Sequence, residues 1–158
     1  MQKNKSGIII GGIVVILLVV LFLWPRINSP TSALVKNWND HNIDCIDEGQ
    51  VRLLEHFHPT LSIIVDGKDE FIPTNGGIVP SWTAEIHTHD GTGTIHVESP
   101  SANKEFKLQD FFLVWGETLE RPGFNLEMTV DGAKSTELGN LVLKDKQKIV
   151  LTYTKISG

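Results

Sequence analysis

The chain has 158 residues, 41% of them apolar, 14 basic and 19 acidic side chains, and one cysteine. The length admits one domain, the ordinary apolar fraction excludes a disordered chain, and a lone Cys45 excludes an internal disulfide framework. A formal charge of −5 excludes a basic footprint for nucleic acid.

Charge is unevenly placed. Lys3, Lys5 and Arg26 are the only charges before residue 30, and every acid lies from Asp40 onward. Residues 7–24, GIIIGGIVVILLVVLFLW, carry neither charge nor proline. As a helix rising 1.5 Å per residue they would span about 27 Å, close to the hydrocarbon thickness of a bilayer. Trp24 suits the interface, and Pro25-Arg26 ends the span. The apolar run exceeds that of an ordinary cleaved signal, so an uncleaved anchor is expected. Lys3 and Lys5 place the N-terminus inside by the positive-inside tendency. The expected organisation is a cytoplasmic tail at 1–6, a single-pass anchor at 7–24, a linker at 25–34 and an extracytoplasmic, mainly β domain at 35–158.

Along that domain, Ala33–Asn39 reads as a short helix. Val51–His56 and Leu61–Val65 read as strands. Asp66-Gly67 is a tight-turn dipeptide that would return Lys68–Ile72 as a partner, and Asn75-Gly76-Gly77 marks another turn. Ala84–His89 and Thr94–Glu98 flank Asp90–Gly93 as a hairpin. Leu108–Trp115 has helical spacing, with Leu108, Phe111, Phe112 and Trp115 on one side and a stop at Gly116. Phe124–Val130 and Lys148–Thr154 are strands, with a turn at Asp131-Gly132. The expected class is α+β, mainly antiparallel, either β-grasp-like or a cupredoxin-like sandwich, with one or two short helices.

Five of the six histidines fall between positions 56 and 96. His56-Phe57-His58 and His87-Thr88-His89 both read H-x-H, and strand residues i and i+2 share a face. With a four-residue loop at 90–93, His89 faces Thr94 and His87 faces His96. One face then carries Glu85, His87, His89, Thr94, His96 and Glu98, and the other sends Ile86, Thr88, Ile95 and Val97 toward a core. If His56 and His58 lie beside this hairpin, all five imidazoles converge. Neutral imidazole is a good ligand for Cu²⁺ and Zn²⁺. The expected ligands are His56, His58, His87, His89 and His96, with Cys45 as a thiolate if it lies near. Asp90 or Glu98 would ligate or orient a histidine. His41 reads as a surface residue, Phe111, Phe112 and Trp115 as core, and Glu85 with Glu98 has the simpler reading of a solvated cross-strand pair.

The stretch from Cys45 to Gly116 resembles an uncharacterised family of membrane-anchored or exported bacterial and archaeal proteins. The shared pattern is a cysteine, then H-x-H-x-x-L before a strand ending in a tight turn, then H-T-H-D-x-x-G-x-I-H-x-E-S-P, and L-x-x-F-F-x-x-W-G. Here it runs through Cys45, His56–Leu61, His87–Pro100 and Leu108–Gly116. That pattern often has a second cysteine just before H-T-H-D, where this chain has Ser81-Trp82-Thr83, which speaks against Cys–Cys redox chemistry. The segments from Phe124 and from Leu143 also resemble the closing strands of β-grasp-like binding domains.

The function expected from these readings is a membrane-tethered, extracytoplasmic metal-binding protein, copper before zinc, exchanging the ion with a donor or acceptor protein. The alternatives are a small metalloenzyme with Glu98, Glu85 or Asp90 as base, and a non-metal interaction or pH-sensing domain. No H-E-x-x-H, G-x-S-x-G or P-loop pattern occurs, which weighs against an enzyme.

Overall fold

The computed structural model describes residues 30–46 and 51–156. The expected tail and anchor at 1–24 lie outside them, and among the described residues no helix is long and apolar enough to cross a membrane. The chain divides after Asn37, and among the described residues the sheets all lie in the unit from Trp38 onward.

The first helix, α1, runs Pro30–Asp40, starting three residues earlier than expected because proline is well suited to a first helical turn. The main sheet has five strands: β3 (Thr60–Val65), β4 (Lys68–Glu70), β9 (Phe124–Val130), β10 (Ala133–Ser135) and β11 (Lys148–Lys155). Their order is β10-β9-β11-β3-β4. Two hairpins form the outer parts. Their turns, Asp66-Gly67 (φ 48° and 77°) and Asp131-Gly132 (φ 51° and 82°), have positive φ at both central residues, the geometry whose twist matches that of paired strands. The hairpins meet through β11, which runs antiparallel to β9 and parallel to β3. Alternate residues Leu61, Ile63, Met128, Ile149, Leu151 and Tyr153 are buried, so the sheet has one core face. The described residues are thus α+β and mainly antiparallel, with two short α-helices among them, as the element order led one to expect.

Two small sheets are built from the residues between. One is β1 (Cys45–Ile46), β6 (Trp82–Ala84) and β5 (Ile78–Val79). The other is β2 (Glu55–Phe57), β8 (His96–Ser99) and β7 (Ile86–His87). The expected strand Ala84–His89 is therefore split between two sheets at Glu85. The backbone N–H of Glu85 donates to Asp44 O (3.0 Å), and its carbonyl accepts from Glu98 N (2.8 Å). The expected strand Val51–His56 shrinks to Glu55–Phe57, because only those residues face a partner, β8. Lys68–Ile72 likewise stops at Glu70, where pairing with β3 ends.

The second helix, α2 (Leu108–Trp115), has the expected bounds. Asp110 accepts the Lys107 backbone N–H at its start (2.7 Å). Gly116, at φ 83°, ends it, with Glu117 N reaching back to Phe112 O (3.0 Å), a left-handed cap that suits glycine. Leu108, Phe111, Phe112 and Val114 are buried. Trp115 is half-buried against the rings of Phe111 and Phe112.

Candidate metal centre

The site begins with one register. In the β7–β8 pair, His87 stands opposite His96 and Ile86 opposite Val97. β2 lies on the other side of β8, with His56 opposite Glu98. Ile86, Ile95 and Val97 are fully buried, so the apolar face anchors the sheet and the alternate face carries the histidines. His58 lies just past β2. Its backbone N–H donates to Asp145 Oδ1 (3.1 Å), and its carbonyl accepts from Lys146 N (3.1 Å). The loop before β11 thus holds His58 beside the hairpin. The bond from His58 also keeps the Asp145 carboxyl below the usual range.

The five imidazoles gather into two groups that share a member. His56, His58 and His96 form one, and His87, His89 and His96 the other; within each group the three ligand atoms lie within 4.8 Å of one another. The Nε2 atoms of His56 and His58 are 3.1 Å apart, and those of His87 and His89 are 3.2 Å apart. Two nitrogens bound tetrahedrally at 2.0–2.1 Å from one ion are separated by about 3.3 Å. Both pairs therefore stand at chelating separation. The His96 ring meets His58 and His89 edge-on, at centroid distances of 4.6 and 4.5 Å, and lies stacked with His87 at 5.5 Å.

Protonation favours ligation at the inner group. His87 is fully buried, and its Nδ1–H donates to Ala84 O (2.9 Å). This fixes the tautomer and turns the Nε2 lone pair toward His89, the usual orientation of a metal-bound imidazole. Burial, opposed by that bond and reinforced by neighbouring imidazoles, pushes the His87 pKa down to about 4. Burial first and then the adjacent rings also lower His96. Both side chains are neutral near pH 7, the state that binds metal.

The acidic residues take separate roles. Glu98 is nearly buried, with Oε1 3.3 Å from His56 Nε2, the same nitrogen that faces His58, so its carboxylate stands at the ligand edge of the group formed by His56, His58 and His96. Glu85 is fully buried and is held by Lys104 Nζ, by Ser99 Oγ (2.5 Å) and by the Asp44 N–H (2.9 Å). The pair is thus not the solvated one of the simpler sequence reading, since burial and local partners claim both carboxylates. Asp90 Oδ1 accepts from Thr92 N (2.9 Å) and Thr92 Oγ1 (2.6 Å), closing the hairpin loop.

Cys45 joins neither histidine group; among the described residues, both groups contain imidazoles alone. Its partner in the sheet is Ala84. Burial, then Asp44 and Glu85, push its thiol pKa up, which keeps the sulfur protonated and a poor ligand. His41 is exposed, as expected. Residues that sequence reasoning missed are the supports: Lys104, Ser99, Asp145 and the Ala84 carbonyl. Lys104 and Asp145 carry no local motif, because each acts across a gap of chain that only folding closes. Ser99 stands in the E-S-P motif without announcing its bond to Glu85, and the Ala84 carbonyl, three residues before His87, is a backbone group that side-chain patterns do not reveal.

Among known proteins, no family model, curated protein or solved structure matches this chain.

Proposed function

We propose that this protein binds a transition-metal ion at its histidine cluster, copper ahead of zinc, and holds or delivers it outside the cytoplasm while tethered by residues 7–24. The observation that carries this reading is the convergence of five imidazoles into two triads, each with its ligand atoms within 4.8 Å of one another and with one H-x-H pair at chelating separation. An all-nitrogen donor set suits Cu²⁺ and Zn²⁺, and copper stands highest in the divalent affinity order. Cys45, outside both triads, lends no support to a thiolate site. The exposed rings of His56 and His89 give an exchange partner access to the ion. The hydrophobic stretch at 7–24 and the resemblance to anchored or exported proteins support the tether. For the fold, two hairpins meeting along the parallel pair β3–β11, with α2 between them in sequence, support a β-grasp-like arrangement over a cupredoxin-like one.

The test is elemental analysis of the full-length protein purified in detergent without added metal, followed by calorimetric titration with Cu²⁺ and Zn²⁺. One of these ions should co-purify or bind with submicromolar affinity, and His96→Ala should weaken binding by 100-fold or more, since two triads lose a common ligand (about 3 kcal/mol). Binding no tighter than micromolar, or unaltered in His96→Ala, overturns the reading.

One observation favours a second reading, a small metalloenzyme. A three-nitrogen site keeps a coordination position open, and the Glu98 carboxylate stands beside such a triad where a general base is needed. Ester or phosphoester hydrolysis by zinc-loaded protein, lost in Glu98→Gln with zinc still bound, would favour it over storage or transfer.

A further inference from the structure

We infer that the cluster is two overlapping seats for a single ion, which passes between them while His96 stays bound. This deepens the metal-binding reading and rests on it.

Reach argues against one five-ligand site. Nitrogens bound to one ion at 2.0–2.1 Å are at most about 4.1 Å apart. The ligand atoms of His56 and His58 do not fall into one 4.8 Å group with those of His87 and His89; each pair groups only with His96. One ion therefore cannot bind all five nitrogens in this arrangement, and each complete triad is a separate seat.

Charge argues against two ions at once. Both triads need the same His96 ring, so two divalent ions would stand close together. The anionic groups available to offset them are few. Glu98 lies beside His56. Asp90 is turned into its loop by Thr92. Glu85 is already matched by Lys104. Asp145, near His58, is engaged by the His58 N–H and by Lys146. One imidazole and one adjacent carboxylate do not neutralise two divalent ions.

The seats differ in exposure and preparation. The inner one contains His87, fully buried and already aimed by its bond to Ala84 O. The outer one contains His56, exposed, with no bond among the described residues that aims its ring and with the Glu98 carboxylate against the same Nε2 that faces His58. Transfer between them exchanges two coordination bonds, to His87 and His89, for two others, to His56 and His58. The leaving and entering ligands are all neutral imidazoles, so no proton or electron is transferred and the ion keeps its charge. The inner seat retains the ion, and the outer seat presents it to an acceptor.

The test loads the full-length protein with Cu²⁺ and reads it by electron paramagnetic resonance in frozen solution, with His56→Ala and His89→Ala alongside. Both side chains are exposed, so neither change opens a core. One copper per chain is expected, with a wild-type spectrum that is the sum of two signals. His56→Ala should show the inner signal alone and His89→Ala the outer one alone. Release to EDTA should be about tenfold slower from His56→Ala than from His89→Ala, the lower end of the effect expected when an oriented ligand is lost. Two coppers per chain, a wild-type spectrum that is not the sum of the variants, or equal release rates would overturn the two-seat inference while leaving metal binding intact. A protein that binds no copper or zinc overturns both.

Discussion

His87 shows how one buried side chain links stability to ligation. Its folded pKa is about 4, whereas an unfolded chain titrates near 6.5. Between these values the unfolded state binds the extra proton, so folding is favoured fully above about pH 6.5 and progressively less as pH falls toward 4. The metal-free protein should lose roughly 2 kcal/mol of stability between pH 7 and pH 5 through this residue. Urea midpoints at the two pH values check it, and the pH dependence should be shallower in His87→Asn. A second residue-scale prediction concerns Lys104, which meets the buried Glu85 carboxylate. Lys104→Met leaves that charge with Ser99 and one backbone N–H as partners and should cost about 3–5 kcal/mol, while Lys104→Met with Glu85→Gln should recover much of the loss. The H-x-H residues announced themselves by spacing. Lys104 did not, because nothing local separates a lysine that pairs inside the fold from one in solvent.

At the scale of elements, the pairing of β7 with β8 is legible from alternation: Ile86, Thr88, Ile95 and Val97 are buried, and His87 stands opposite His96 as expected. The expected four-residue loop with His89 facing Thr94 is replaced by a longer one, because Thr94 bridges Thr60 and the Ile95 N–H donates to Pro59 O. The loop is fastened at Gly93, whose φ is 83° and whose carbonyl accepts Leu61 N (2.8 Å). A Cβ at Gly93 would lie 2.1 Å from Leu61 O, whereas one at Gly132, with φ 82°, would meet nothing within 4 Å. Gly132→Ala should therefore cost about 1–2 kcal/mol, the strain of a left-handed residue alone. Gly93→Ala should cost more than about 2 kcal/mol and also weaken metal binding, because the loop that sets His89 against His96 must move. Chemical denaturation of the two variants and copper titration of each would check the contrast. The short strands β1, β5 and β10 were not legible. Two- or three-residue strands contain too few positions for alternation to register, and their existence depends on a neighbour supplying backbone partners.

For the whole molecule, the cluster joins residues from β2, β7 and β8 with the loop before β11, so ion binding should stabilise the fold as a unit. At 100 times Kd, copper or zinc adds about 2.7 kcal/mol, raising Tm on the order of 10 °C for a domain of this size. Scanning calorimetry with and without the ion should show the rise, EDTA should reverse it, and His96→Ala should abolish it. Composition and periodicity alone determined the mainly β class, the helix at Leu108–Trp115, the two D-G hairpin turns and the pairing of His87 with His96, because each depends on residues close in sequence. The parallel joining of β11 to β3, the approach of β2 to the hairpin, the exclusion of Cys45 and the burial of Glu85 with Lys104 were decided only by tertiary structure. Those contacts lie between segments tens of residues apart, and which partner wins depends on how whole faces bury together rather than on any local pattern.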